Sequence, residues 1–263
     1  MSKLITPGRY LFALAILAFG IQHFAFAITG AGLGPPWTPV NRVLSYIVGA
    51  LLLAAGVGLA TMWQARCAGL MLAIVFIVRA LLYDVPKLIA TPRNPGPWTS
   101  GFELLALGGA SLVLTAMFSD RHAYTRKFDR SIANLFLAGR LLFAIGLVVF
   151  GVQHLMYGAF VATLVPAWIP FQLFWAYFVG VAFIAAALAI VSGKLAPLAA
   201  TLLGTMFFLW VVILHAPRVA GGLHNGNEWT SLFVALAMGG GAFVVAGATA
   251  KHTWGPDRAP YYS

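Results

Sequence analysis

The sequence predicts an all-α, polytopic membrane protein of eight transmembrane helices, arranged as two parallel-repeat four-helix bundles. Composition and an internal repeat together support this prediction. Of the 263 residues, 61% are hydrophobic and only 8% are charged, a balance that excludes an ordinary water-soluble enzyme. The basic excess, 16 Lys and Arg against 6 Asp and Glu, is scattered between apolar runs rather than gathered on one face. We therefore expect the lipid bilayer, and no nucleic acid, as a partner.

A transmembrane helix needs about 20 mostly apolar residues to cross the hydrocarbon core of a bilayer. Eight stretches of suitable length are bounded by turn residues or charges. They cover residues 9–29, 43–63, 67–89, 100–118, 132–157, 171–191, 196–216 and 229–249. These eight stretches are the predicted spans.

The second half of the chain repeats the first half at a constant offset of 131 residues, without a gap. The Gln22-His23 pair corresponds to Gln153-His154, and many rarer residues keep the same register. Among them are Gly8 and Gly139, Pro86 and Pro217, Asn94 and Asn225, and Trp98-Thr99-Ser100 and Trp229-Thr230-Ser231. We interpret this pattern as a tandem duplication: a first repeat (1–118), a basic cytoplasmic linker (119–131), a second repeat (132–250) and a cytoplasmic tail (251–263). The first span resembles a secretory signal but corresponds to an internal span, so we expect it to be retained.

Each repeat contains an even number of spans, so the repeats are expected to be parallel and related by an axis along the membrane normal. Eleven Lys and Arg residues fall on the side of the two termini, and four fall on the other side. By the positive-inside rule, both termini are predicted to be cytoplasmic. The first, third, fifth and seventh connections then face the outside.

Ionisable residues inside spans are costly, so we treat each of them as a functional hypothesis. At a rise of about 1.5 Å per residue, His23 is expected about 9 Å below the outer end of its helix, and Arg79 and Glu103 about 7 to 8 Å. Because their helices are antiparallel neighbours, Arg79 and Glu103 are predicted to form a buried ion pair. Such a pair serves architecture or ligand binding, and the sequence leaves both roles open.

The two repeats differ at these polar positions. The corresponding residues are Arg79 and Trp210, Glu103 and Val234, and Asp84 and His215. Arg79 and Glu103 therefore vanish together in the second repeat, as expected of partners. His154 and His215 remain at the outer depth of the second repeat, with His224 and Glu228 in the connection above them. We expect one polar pocket near the outer leaflet with chemically unequal sides.

Three roles remain open for the repeated Gln-His pair. It forms a hydrogen-bonding staple between helices, contacts a quinone or substrate, or ligates a metal or haem. If a metal is bound, its candidate ligands are His23, His154, His215 and His224, and haem or copper is not excluded. The Pro-x-Trp-x-Pro elements at Pro35–Pro39 and Pro166–Pro170 are expected to form ordered outer loops. Cys67, the single cysteine, is expected to be buried.

Each repeat has a Gly-x-x-His element, at Gly20–His23 and Gly151–His154. The second repeat continues with Val165-Pro166-Ala167-Trp168-Ile169-Pro170 and then Phe174-Trp175-Ala176-Tyr177-Phe178-Val179-Gly180. These motifs resemble the DoxX-like family of bacterial integral membrane proteins. The resemblance covers each repeat and is closer in the second. It implies a multi-pass protein of the bacterial plasma (inner) membrane.

Some relatives in that family are associated with membrane oxidoreductases that pass electrons from reduced sulfur compounds to quinone. The resemblance therefore implies a quinone-linked redox subunit, with other membrane or extracytoplasmic redox subunits as partners. The catalytic candidates are His23, His154, Arg79 and Glu103, and the cofactor-binding candidates are Gln22, Gln153, Asp84 and His215. Two alternatives stay open: a non-catalytic accessory or assembly subunit of a larger membrane complex, and a small-molecule transporter. The absence of a span visibly broken near the bilayer midplane disfavours the transporter.

Overall fold

The structure is a computed structural model that describes residues 1–29, 38, 41–119 and 126–251. A short 3-10 helix, Ser2–Leu4, leads into the first α-helix, and no strand occurs in the described residues. The α-helices are α1 (Ile5–Thr29), α2 (Arg42–Thr61), α3 (Ala65–Arg79), α4 (Val85–Ala90), α5 (Pro95–Met117), α6 (Arg126–Met156), α7 (Gly158–Leu164), α8 (Gln172–Ser192), α9 (Ala196–Trp210), α10 (Ala216–Gly221) and α11 (Gly226–Lys251).

Eight helical segments of the described chain are long and apolar enough to cross a membrane, which confirms the eight predicted helices. We call them spans 1 to 8. They cover Ser2–Ile28, Arg42–Thr61, Ala65–Ala90, Pro95–Met117, Arg130–Met156, Gln172–Ser192, Ala196–Gly221 and Gly226–Ala250. Spans 3 and 7 each contain two α-helices, α3 with α4 and α9 with α10. The short helix α7 lies between spans 5 and 6 and was not predicted.

Three sequence-based expectations fall wholly or partly outside the described residues. Most of the Pro35–Pro39 element lies outside them, as do residues 120–125 of the expected linker and residues 252–263 of the expected tail. The rest of the linker differs from the expectation, because α6 begins at Arg126 and continues into span 5 without a break. In the second repeat, the loop that contains Pro166–Pro170 is described, and the Nε1 of Trp175 donates to the carbonyl oxygen of Pro170 at 3.1 Å.

A π-helical segment interrupts the α-helical hydrogen bonding of span 3 at Ala80–Asp84, and another interrupts span 7 at Val211–His215. The two segments differ in position by the offset of 131 residues that relates the repeats. Pro86 and Pro217 follow them at corresponding positions. Proline lacks an N–H and its ring clashes with the preceding turn, which explains why both helices widen at these points.

The spans pack in chain order, and span 8 packs back against span 1, so the eight helices form a closed ring. Spans 4 and 8 also contact each other and divide the ring in two. We call the side that contains spans 1, 2 and 3 the first half of the molecule, and the side that contains spans 5, 6 and 7 the second half. Spans 4 and 8 form the boundary and belong to both. The buried side chains form one hydrophobic core through both halves. The two repeats are therefore joined in one bundle of eight helices.

Glycine pairs allow the repeats to approach closely. A Cβ atom on Gly8 would lie 2.7 Å from the carbonyl oxygen of Gly240, and a Cβ atom on Gly139 would lie 2.5 Å from that of Gly109. Both distances are too short for any residue with a side chain. The two contacts involve corresponding residues, so the first span of each repeat meets the last span of the other in the same way.

Candidate functional site

A cavity of about 1230 Å³ lies in the second half of the molecule. Its walls come from spans 4 to 8, from the end of span 3 and from α7. The first, third, fifth and seventh connections lie at one end of the molecule, which we call the odd-loop end. The cavity reaches this end, because Thr91 and Asn94 of the third connection line it. Prediction from sequence placed a pocket at this end, but it did not place the pocket in one half.

The cavity has a polar part and an apolar part. Five of the eight predicted site residues line the polar part: Asp84, Glu103, Gln153, His154 and His215. The part that reaches the middle of the helices is lined by apolar side chains, namely Val179, Phe183, Met206, Phe207, Val234 and Met238. The cavity therefore suits an amphipathic molecule whose polar end lies toward the odd-loop end.

His154 presents one ring nitrogen to the cavity. Its Nδ1 lies 2.8 Å from the carbonyl oxygen of Phe150. Because a carbonyl oxygen only accepts, Nδ1 carries the proton. The ring packs edge to face against Phe183, with 5.2 Å between ring centroids. In the neutral ring, Nε2 is then a hydrogen-bond acceptor.

The prediction that Arg79 pairs with Glu103 is wrong, because the acidic partner of Arg79 is Asp84. Arg79 Nη1 lies 2.9 Å from Asp84 Oδ2, and Ser100 Oγ donates to Asp84 Oδ1 at 2.8 Å. The physical reason is the π-helical segment, because residues five apart lie about 140° apart around a regular α-helix and come closer in a π turn. The Asp84 carboxylate is thus satisfied on both oxygens.

Glu103 lies on the cavity wall without a hydrogen bond or ion pair to any residue of the described chain. Among the charged groups, Asp84 has the largest electrostatic effect on Glu103. The two carboxylates differ in role, since Asp84 is held by Arg79 and Ser100, whereas Glu103 is available to a ligand. The sequence nominated both residues and could not separate them.

His215 occupies the position in span 7 that Asp84 occupies in span 3. Its Nδ1 is buried and has no hydrogen-bond partner in the described part of the chain. Arg218 and Glu228 act on His215 electrostatically and pair with each other, with 2.8 Å between Arg218 Nη2 and Glu228 Oε1. The second repeat therefore replaces the Arg79–Asp84 pair by an imidazole on the cavity wall and an ion pair nearer the loops.

The two glutamines of the predicted site join the repeats to each other. Gln22 Nε2 donates to Thr230 Oγ1 at 3.1 Å, and Thr99 Oγ1 lies 3.2 Å from Gln153 Oε1. Gln153 Nε2 also donates to the carbonyl oxygen of Pro95 at 3.1 Å. Because the offset of 131 equates Gln22 with Gln153 and Thr99 with Thr230, the two contacts correspond. One role that the sequence left open for the Gln-His pair was a hydrogen bond between helices, and both glutamines form such bonds.

His23, Arg79 and Gln22 do not line the cavity. His23 has no exposed surface, and its Nδ1 lies 2.8 Å from the carbonyl oxygen of Phe19. Phe19, Leu52 and Phe76, which correspond to the cavity residues Phe150, Phe183 and Phe207, are also fully buried. Each histidine thus bonds through Nδ1 to the carbonyl oxygen four residues before it, but only His154 lines the cavity.

Metal ligation finds no support in the arrangement of these side chains. Within the described chain, no three His, Cys, Asp or Glu side chains come together as metal ligands would. His154 and His215 line the cavity, whereas His23 is buried elsewhere and His224 is exposed in the seventh connection. The four candidate ligands therefore do not converge on one point of the described chain. Cys67, expected to be buried, is exposed at the start of span 3.

Sequence reasoning missed the residues that make room for the cavity. Ala235 lines it on span 8, whereas the corresponding residue in span 4 is the fully buried Leu104. Tyr157 and Phe160, the second of them on α7, close the side toward the fifth connection. The signal was present in the aligned repeats as a large-to-small difference at an apolar position.

Comparison of the chain with family models, with curated proteins and with solved structures found no match. Any statement about function therefore depends on the residues and geometry described above.

Proposed function

We propose that this protein is a quinone-linked redox subunit of a membrane, and that its cavity binds a lipid-soluble quinone. One observation supports the proposal above the others: a large cavity within the spans whose inner wall is apolar and whose polar groups gather toward one end. Ligand sites of drug-sized molecules are typically about 300–1,000 Å³, mostly apolar, with a few convergent polar groups. A quinone with its hydrocarbon tail has this distribution of polarity.

The residues present fit such a molecule. Val234 and Met238 on span 8 and Phe207 on span 7 would contact the tail, and His154 and Glu103 would contact the oxygens of the ring. A bound quinone supplies reversible uptake of two electrons and two protons. The chain contributes binding, orientation, a hydrogen-bond acceptor at Nε2 of His154 and a group that exchanges protons, the carboxyl group of Glu103. We propose that the electrons are exchanged with a separate membrane or extracytoplasmic redox subunit.

We also propose the location that the sequence predicts, a bacterial plasma (inner) membrane with both termini in the cytoplasm, for a fused pair of DoxX-like units. The exposed Cys67 provides a direct test of the orientation, because it lies near the end of the molecule opposite the cavity mouth. A membrane-impermeant maleimide should label it in inverted vesicles and not in intact cells. Labelling in intact cells would reverse the orientation and place the cavity mouth inside.

The test of the proposed function is the quinone content of the purified protein. Protein extracted in mild detergent should retain quinone in stoichiometric amount, measured by chromatography of a solvent extract. Ala235→Leu should lower retention by narrowing the apolar part of the cavity, since added carbons in an occupied apolar site cost about 1–3 kcal/mol. Ala185→Leu, an exposed position of span 6 away from the cavity, is the matched control and should retain quinone.

Two results would contradict the proposal. One is purified protein that neither retains nor rebinds quinone. The other is equal retention by the wild type and the Ala235→Leu variant, which would show that any quinone is bound elsewhere. If Ala235→Leu instead lowers only the abundance of the protein or of a complex that contains it, an accessory or assembly role is favoured.

A transporter is the second candidate, and one structural observation favours it. The sequence argument against it was the absence of a broken span near the bilayer midplane. The π-helical segments at Ala80–Asp84 and Val211–His215 lie nearer the odd-loop end, but they interrupt regular helix beside the cavity. Such irregular turns often mark functional sites. Uptake of a cavity ligand into proteoliposomes, abolished by Arg79→Leu, would favour transport over redox function.

A further inference from the structure

We infer that the cavity selects the reduced, hydrogen-bond-donating form of its ligand, the quinol, over the oxidised quinone. This inference depends on the proposed function and concerns the same site. It rests on which hydrogen-bonding groups of the polar part are already engaged with protein atoms and which remain for a ligand.

His154 offers an acceptor. Its Nδ1 proton is directed to the carbonyl oxygen of Phe150 at 2.8 Å, and Nε2 remains for the cavity. No carboxylate of the described chain forms an ion pair with His154, so a positive charge on the ring would lack a partner beside Phe183. A neutral ring with this tautomer accepts at Nε2 and cannot donate there.

Four of the hydroxyl donors on the cavity wall, those of Ser100, Ser231, Thr230 and Thr99, are engaged within the protein. Each has an acceptor at 2.8 to 3.2 Å. The acceptor of Ser100 is Asp84 Oδ1. Ser231 and Thr230 donate to the backbone carbonyl oxygens four residues before them, and Thr99 has two acceptors, the carbonyl oxygen of Pro95 and Gln153 Oε1. The ammonium of Lys87 lies over the Tyr83 ring, 3.8 Å from its centroid. The four hydroxyl groups therefore have little left to donate to a carbonyl oxygen of a ligand.

Glu103 adds a second acceptor. Its carboxyl group has no partner in the described chain, and it keeps an acceptor oxygen whether or not it is protonated. Two acceptors on neighbouring helices, span 4 and span 5, thus face one polar space. Donors that remain on the wall, including the indole N–H of Trp210, the phenol O–H of Tyr157 and the ammonium of Lys87, can donate to the oxygen of a ligand hydroxyl.

A quinol hydroxyl matches this arrangement because it donates and accepts at once. A quinone carbonyl only accepts, so its oxygen would face the lone pair of His154 Nε2 and leave that acceptor unsatisfied. Burying an acceptor without a donor is unfavourable, and sites built around such a group reject analogues that lack its partner. The geometry therefore favours the reduced ligand.

The test compares three ligands of nearly the same shape on the full-length protein in nanodiscs. They are a short-chain quinol kept reduced, its quinone, and the dimethyl ether of the quinol, which cannot donate. The quinol should bind at least about tenfold more tightly than either of the others, the effect of one unsatisfied buried acceptor. The His154→Phe variant should remove this preference while keeping an aromatic ring in place, and Ala185→Leu should preserve it.

Each outcome decides between the claims. Equal affinity of the three ligands, or tighter binding of the quinone, would overturn the selection of quinol and leave the proposed function standing. Saturable binding of none of the three would overturn the proposed function itself. The comparison of ligands on the wild type needs no variant, so it remains decisive even if His154→Phe fails to fold.

Discussion

The surroundings of His23 and of His154 are built from corresponding residues, yet one is packed and the other is open. His23, in the first half, has no exposed surface, as is also true of Phe19 and Phe76 next to it in the core. His154, in the second half, lines a cavity of about 1230 Å³. Both histidines keep the bond from Nδ1 to the carbonyl oxygen four residues earlier.

The residues around the two histidines differ in size and charge at several corresponding positions. Leu104 of span 4 is replaced by Ala235 in span 8, which removes most of a side chain from the wall. Arg79, held by Asp84, is replaced by Trp210, and Asp84 itself by His215. The two halves thus have corresponding contacts between them and differ in the interior, which is packed around His23 and open beside His154.

The largest effect is expected from the ion pair of the first half. Asp84→Ala should destabilise the protein by about 3–5 kcal/mol, because it leaves the guanidinium of Arg79 without its buried counter-charge. The pair of the second half is more exposed, with relative side-chain exposures of 36% for Arg218 and 18% for Glu228. Glu228→Ala should therefore cost only about 0–1 kcal/mol. Titration with SDS in mixed micelles measures both, and equal losses would contradict the contrast between the halves.

Substitution of His23 should mainly lower stability, and substitution of His154 should mainly weaken ligand binding. His23→Ala should lower the free energy of unfolding by about 2–5 kcal/mol, as for other large buried side chains, and spare ligand affinity in the protein that folds. His154→Ala should cost about 1 kcal/mol or less and weaken ligand binding. Thermal melting and equilibrium binding on the same preparations give both quantities. The account fails here if His23→Ala is the variant that loses the ligand.

The glycine contacts should behave alike in both halves. Gly139→Ala and Gly8→Ala should each destabilise the protein by about 1–3 kcal/mol, because the new Cβ atom meets the backbone of the other repeat. Gly221→Ala is the control, since nothing lies within 4 Å of a Cβ atom there. Thermal melting of the three variants is sufficient. A harmless Gly139→Ala would mean that the repeats do not approach as closely as described.

The smallest effect is expected from the bonds between glutamine and threonine. Thr99→Val and Thr230→Val should each cost about 0.6 kcal/mol, the average for hydrogen bonds between transmembrane helices. Both values should be equal within error, because the two contacts correspond. A cost several times larger for Thr99→Val alone would show that Gln153 contributes to the cavity beyond its role as a staple.

Length and apolarity alone determined most of the fold, and the eight predicted spans are present. Prediction failed where the helix departs from regular geometry. On a regular α-helix, Arg79 and Asp84 face different directions, so the sequence paired Arg79 with Glu103 instead. Pro86 and Pro217 were the available signal, because a proline inside a span disturbs the turn before it.

The candidate site was predicted in part. Glu103, His154 and His215 were found because ionisable groups are rare inside spans, and all three line the cavity. His23 was nominated on the same grounds, and Gln22 as its neighbour in the repeated Gln-His pair. Both lie elsewhere, since residue type does not tell whether neighbouring side chains fill the space around a polar group. That space depends on packing between helices, as at Leu104 and Ala235.

The most direct test of the account is an experimental density map of the protein purified from its own membrane into lipid nanodiscs. The account predicts density for a bound amphipathic molecule beside His154 and Glu103, continuing between Phe207 and Met238, and solid packing around His23. A cavity closed by the protein's own side chains, or a ligand beside His23 instead, would contradict it.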